Sequence, residues 1–176
     1  MKIKKLLFAS AILCTCCFCA CSVLKGGRLN ALQAEESKKV EEKSNEIIRC
    51  LTENDREGFR ALFCEQIRQS DSFDREVDAV FDFFSCDTYI KAEVQTLAGG
   101  GASIEAGERT EWYVRPEITY IEILQDTGNG GELADRYYGV SYFWQITDTK
   151  HPELEGLHHL EISLLNTDES AEVGTE

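Results

Sequence analysis

Apolar positions follow two periods along this chain, helical before residue 86 and alternating after it. Val40, Ser44, Ile47, Ile48 and Leu51 recur at helical spacing, with Glu41, Glu42, Lys43 and Arg49 between them, which predicts a helix with one buried stripe. Asn54 or Asp55 can cap a short second helix presenting Phe59, Leu62 and Phe63, because their side-chain oxygens accept first-turn amide hydrogens. Ser70 or Asp71 opens a third helix. Its Phe73, Val77, Val80, Phe81 and Phe84 share a face, and Val77, Phe81 and Phe84 are expected to pack on a sheet.

After Cys86 the strand signal takes over, from Tyr89 to Leu97 and again within Ala102 to Val114, with Gly99 to Gly101 expected as a flexible turn between them. Pro116, which has no amide donor, marks an edge or bulge. Ile118, Tyr120 and Ile121 resume the strand, and Asn129 with Gly130 predicts a hairpin turn. Tyr138, Val140, Tyr142, Trp144 and Ile146 then alternate with Gly139, Ser141, Phe143 and Gln145, so the first set shares one face. Residues 150–155 read as a loop, Leu157 to Leu165 as the last strand, and the acidic residues 166–176 as disordered. Three helices before several antiparallel strands predict an α+β domain, the helices covering one face of a curved sheet.

The N-terminus reads differently. Lys2, Lys4 and Lys5 precede an uncharged, mostly apolar run from Leu6 to Ala20 with the proportions of an export signal. Phe18, Cys19, Ala20 and Cys21 resemble the lipobox of bacterial lipoprotein precursors, which implies that Cys21 takes a lipid such as palmitate and becomes the mature N-terminus. Of the five cysteines in this stretch, Cys21 alone follows an alanine. The expected organisation is a signal peptide over 1–20, a tether over 21–34, one domain over 35–165 and the acidic tail over 166–176. The alternative is an uncleaved helix, since no charge falls between Leu6 and Leu24. Acyl chains would hold the domain at the extracytoplasmic face of the cell membrane while the domain itself stays in water.

Charge narrows the partners. The chain carries a formal charge of −14, and removal of residues 1–20 takes three lysines and no acid, so the mature domain is more acidic still. Such a field repels phosphate backbones, which argues against nucleic acid. Cys50, Cys64 and Cys86 are widely spaced without a CxxC pair, and read as small buried hydrophobes or as one disulfide with a free thiol. No local feature marks any of them as a nucleophile.

One segment set carries a wider resemblance. Tyr113, Val114, Arg115, Pro116, Glu117 and Ile118, then Tyr138, Gly139, Val140, Ser141 and Tyr142, then Glu155, Gly156 and Leu157, resemble an uncharacterised family of lipoproteins from Gram-positive, clostridia-like bacteria. That family is similar to the cone-shaped fold of nuclear transport factor 2 and the cystatin-like superfamily. The resemblance implies a cone of helices and curved sheet enclosing a pocket, used in that superfamily for catalysis, ligand binding or association.

No phosphate loop, dinucleotide fingerprint, HExxH, GxSxG or CxxC motif is present, and no cofactor is implied. Glu111, Tyr113, Arg115, Tyr120, Tyr142, Trp144 and His158 are the residues able to line a pocket between helices and sheet, aromatic rings holding an apolar body and Arg115 or Glu111 a polar end. His158 is expected in phase with Leu160 and Ile162, and His159 outward with Glu161, so the two cannot share a metal ion without a bulge. The reading is a membrane-tethered binding or accessory domain without catalysis, for a small molecule or protein. The alternatives are a lyase or isomerase using the cone pocket, and an association module that pairs as a homodimer through its sheet.

Overall fold

The computed structural model describes residues 31–86, 88–126 and 133–174. The chain divides into two compact units, Met1–Lys38 and Lys39–Glu176. Of the first unit, residues 31–38 are described, and they are helical. The leader, Cys21, most of the expected tether and the Asn129–Gly130 turn lie outside the described residues. Residues 31–34, expected in the tether, are already helix.

Four helices build the first half of the second unit's core. Residues 31–52 form α1, and the whole stripe of Val40, Ser44, Ile47, Ile48 and Leu51 is buried. Asp55 caps α2 (Arg56–Ala61), its Oδ1 accepting from the Gly58 amide at 2.8 Å. A single turn not anticipated from periodicity, α3 (Glu65–Arg68), follows, and then α4 (Phe73–Phe83). Phe59, Phe63, Phe73 and Phe81 stack edge to face at 5.2 to 5.5 Å, a favourable arrangement for ring quadrupoles. The Phe81 ring meets Phe59 of α2, and Phe84 reaches Tyr138 of the sheet at 5.0 Å.

The sheet has seven antiparallel strands: β1 (Thr88–Glu93), β2 (Ala98–Glu105), β3 (Glu108–Pro116), β4 (Thr119–Asp126), β5 (Leu133–Asp148), β6 (Gly156–Leu164) and β7 (Ser170–Gly174). Along β5, β4 pairs with the first half and β3 with the second, Thr119 opposite Val140 and Val114 opposite Trp144. β3 and β4 thus act as one long strand interrupted at Pro116 by an extra residue, as the missing amide requires. β6 takes the other edge of β5, and β7 the far edge of β6.

Three expectations fail here. Among the described residues the sheet is open, since β1, β2 and β7 each pair with one neighbour and no ladder joins the ends. It does not curl into the cone implied by the resemblance to nuclear transport factor 2. Gly99 to Gly101 are not a turn but lie inside β2, where a side chain at Gly100 would strike the Tyr113 carbonyl. The chain reverses instead at Ala106 and Gly107, with φ of 52° and 90°, the left-handed pair of a two-residue hairpin. The acidic C-terminus is not disordered over its length. Ser170–Gly174 forms β7 because Val173 is fully buried opposite Leu160, and α4 packs over it.

Candidate functional site

Strand alternation sorts the pocket candidates onto opposite faces of the sheet. Trp112, Val114, Tyr142 and Trp144 point toward α1, where Val40, Trp112 and Val114 form a small cluster and Lys43 Nζ lies 5.1 Å from the Trp144 ring. Tyr142 is bound there: its hydroxyl lies 2.9 Å from Ser44 Oγ and donates to the Val40 carbonyl at 3.3 Å. Burial pushes the Tyr142 phenol up to about 12, against the opposing effect of the Ser44 hydrogen bond. The gap bounded by Ser44, Ile47, Ile48, Thr119, Val140 and Tyr142 has no room for a water molecule. Helices and sheet are packed tightly there, and Tyr142 and Trp144 serve the core.

The outer face carries the others. Tyr113, Phe143 and His158 form a row across β3, β5 and β6, with ring separations of 5.7 and 5.2 Å, and the Arg115 guanidinium lies 4.7 Å above Phe143. A cation over an aromatic face is held by the ring quadrupole. Glu111 is exposed toward the β2 side and accepts from Ser103 Oγ at 3.1 Å. Tyr120 stands farther along β4, in a surface groove of about 240 Å³ lined also by Lys91, Glu93, Glu122, Tyr137 and Leu165. Glu122 accepts from the Tyr137 hydroxyl at 3.4 Å and pairs with Lys91 at 3.2 Å. Seven residues expected around one pocket therefore divide between a packed interior and two patches of an outer face.

His158 departs furthest from expectation. Phe143 pairs with His159 and Trp144 with Leu157, which leaves His158 as the extra residue of a β-bulge. The bulge removes it from the phase of Leu160 and Ile162. His159 is buried on the other phase and lies 3.3 Å from Glu172 of β7. His158 Nε2 sits 2.7 Å from the Leu154 carbonyl, and the parallel bridge of Phe63 to Leu157 sets Cys64 next to this histidine. That contact raises the His158 pKa, with burial opposing. Burial by itself would push the Cys64 thiol up, but the His158 hydrogen bond and the nearby Ile67 and Gln66 amides outweigh it, and the thiol lies below its ordinary value. Those amides favour the thiolate without forming a side-chain cap bond.

Cys64 is the residue that periodicity missed. A buried cysteine after Leu62 and Phe63 reads as a small hydrophobe, and only the pairing of residues 62–64 with β6 brings a histidine 94 positions away against it. Among the described residues, no group of three or more His, Cys, Asp or Glu converges as a metal site, and no helix is long and apolar enough to cross a membrane.

Fold and site together define a helix-backed, open antiparallel sheet domain with an aromatic, cation-bearing outer face. The chain belongs to the family described as domain of unknown function (DUF5104), whose model matches residues 46–169, from within α1 to the turn after β6. This family, and not a cone-fold lipoprotein family, is the one the sequence matches, which corrects the resemblance drawn from the Tyr113–Ile118 segment. No curated protein matches the chain.

Proposed function

We propose that the chain is a lipid-anchored, extracytoplasmic binding or accessory domain that reads its ligand on the outer face of the sheet. The observation that carries this reading is the division of the candidates. The gap between α1 and the sheet at Tyr142 has no room for a water molecule, whereas Tyr113, Arg115, Phe143 and His158 line up on the opposite side. Aromatic faces with one guanidinium suit a ligand with an apolar or planar body and an anionic or polar end. The anchor rests on the leader and on Cys21, whose acyl chains would present this face to the exterior.

One experiment addresses both halves. Cells producing the full chain are labelled with a fatty-acid analogue and fractionated, and the molecules retained by the purified chain are compared with those retained by a folded Arg115→Gln variant. Wild type is expected in the membrane fraction with label, Cys21→Ser unlabelled and released, and Arg115→Gln depleted in retained anionic or planar molecules. Normal labelling of Cys21→Ser would sink the anchor. An unchanged retained set in Arg115→Gln would sink the outer-face reading.

A further inference from the structure

We infer that Cys64 and His158 form a reactive pair in which Cys64 takes an oxygen atom from a small hydroperoxide such as hydrogen peroxide and His158 supplies the proton. This goes beyond the binding reading and does not depend on it.

Backbone pairing builds the couple. Phe63 bridges Leu157 in parallel, the Leu157 amide donates to the Leu62 carbonyl at 2.9 Å, and the Cys64 amide donates to the Leu157 carbonyl at 3.0 Å. In a parallel bridge the next residues on each strand stand side by side, so Cys64 is set beside His158. The approach is close enough to require glycine at position 156. Its φ is 131°, and a side chain there would lie 2.6 Å from the Cys64 amide nitrogen. The bulge at His158 then turns the imidazole toward this edge.

The histidine's second contact determines its chemistry. A carbonyl only accepts, so at 2.7 Å from the Leu154 oxygen the Nε2 atom must carry a hydrogen. Nδ1 of the neutral ring is then an acceptor, the nitrogen that takes the thiol proton. Phe143 lies against the ring at 5.2 Å. Cys50 supplies the contrast: it is as buried as Cys64, at 0% against 1% exposure, and burial pushes its thiol up. The Cys50 thiol stays raised even though the Arg49 guanidinium donates to its sulfur at 3.3 Å, whereas Cys64 has His158 and the Ile67 and Gln66 amides beside it. Cys64 is almost wholly covered and His158 half-buried, so the proposed reagent must be as small as a peroxide.

The step balances. The Cys64 thiolate attacks one peroxide oxygen, an S–O bond forms as the O–O bond breaks, and sulfur gives up the electron pair that reduces the peroxide. The departing hydroxide takes the His158 proton and leaves as water, with a sulfenic acid on Cys64 and a neutral imidazole behind it.

The full chain is treated with hydrogen peroxide between about pH 6 and 8, and oxygen gain on the Cys64 and Cys50 peptides is followed by mass spectrometry. Cys64 is expected to oxidise at least about tenfold faster than Cys50, because the thiolate is the attacking form and Cys64 has a histidine beside it to take its proton. In a His158→Gln variant shown to be folded by circular dichroism, the advantage should fall to within about twofold. Equal rates for the two thiols in wild type, or an undiminished Cys64 rate in folded His158→Gln, would overturn the proposal and leave the pair a structural hydrogen bond. Should His158→Gln not fold, the wild-type pH profile decides. A Cys64 rate that rises at lower pH than that of Cys50 supports the pair, and coincident profiles refute it.

Discussion

Val173→Ala tests whether the acidic C-terminus is part of the folded core. Val173 is fully buried on β7, opposite Leu160, in the same cluster as Val77, Val80 and Ile162. β7 is further tied to α4 by the Gly174 amide, which donates to Glu76 at 3.1 Å. The substitution removes two methyl-sized groups, roughly 1.6 kcal/mol at about 0.8 kcal/mol each. The cavity left where α4 and β6 cannot close adds about 1 kcal/mol, for a total loss of about 2 to 3 kcal/mol. With a urea slope of about 1–3 kcal/mol per molar, the midpoint should fall by about 1 M or more at unchanged slope. Ser170→Ala on the exposed part of the same strand is the control and should stay within about 0.5 kcal/mol of wild type. If the midpoint of Val173→Ala matched that of Ser170→Ala, β7 would not be part of the cooperative unit and the reasoning would fail.

Phe81→Ala should destabilise the domain by about 3 to 5 kcal/mol, because the ring is buried against Phe59 and beneath the Arg56 guanidinium; an unchanged denaturant midpoint contradicts that packing. Tyr142 sets an alkaline limit. Its phenol is pushed up to about 12 in the folded chain, against an ordinary value of about 10 when unfolded. Between these values the unfolded chain loses a proton that the folded chain keeps, so stability falls as pH rises through the window, by about 2 to 3 kcal/mol in all. Tyr142→Phe should abolish that part of the slope in urea titrations between pH 9 and 12, and a slope equal to wild type would rule out Tyr142 as its source.

What the sequence by itself determined is the set of local elements whose periodicity is driven by burial. The α1 stripe, the Asp55 cap, the Phe73 to Phe84 face and the alternation from Tyr138 to Trp144 were all legible, because each depends on spacing within one helix or strand. The family match adds membership but no chemistry. The candidate site was legible only as residue types. Which of Tyr113, Arg115, Tyr142, Trp144 and His158 meet depends on strand register, and a single bulge moves a side chain to another phase, as it does His158. Other failures have the same origin. The glycines of β2 lack turn geometry because Tyr113 and Val114 pair with them, and residues 170–174 order only because β6 offers a free edge and α4 a surface to cover Val173. The Cys64–His158 contact joins positions 94 residues apart, and neither carries a local sign of the other. Local spacing decides which face of an element is apolar, whereas tertiary pairing decides what that face and its opposite come to touch.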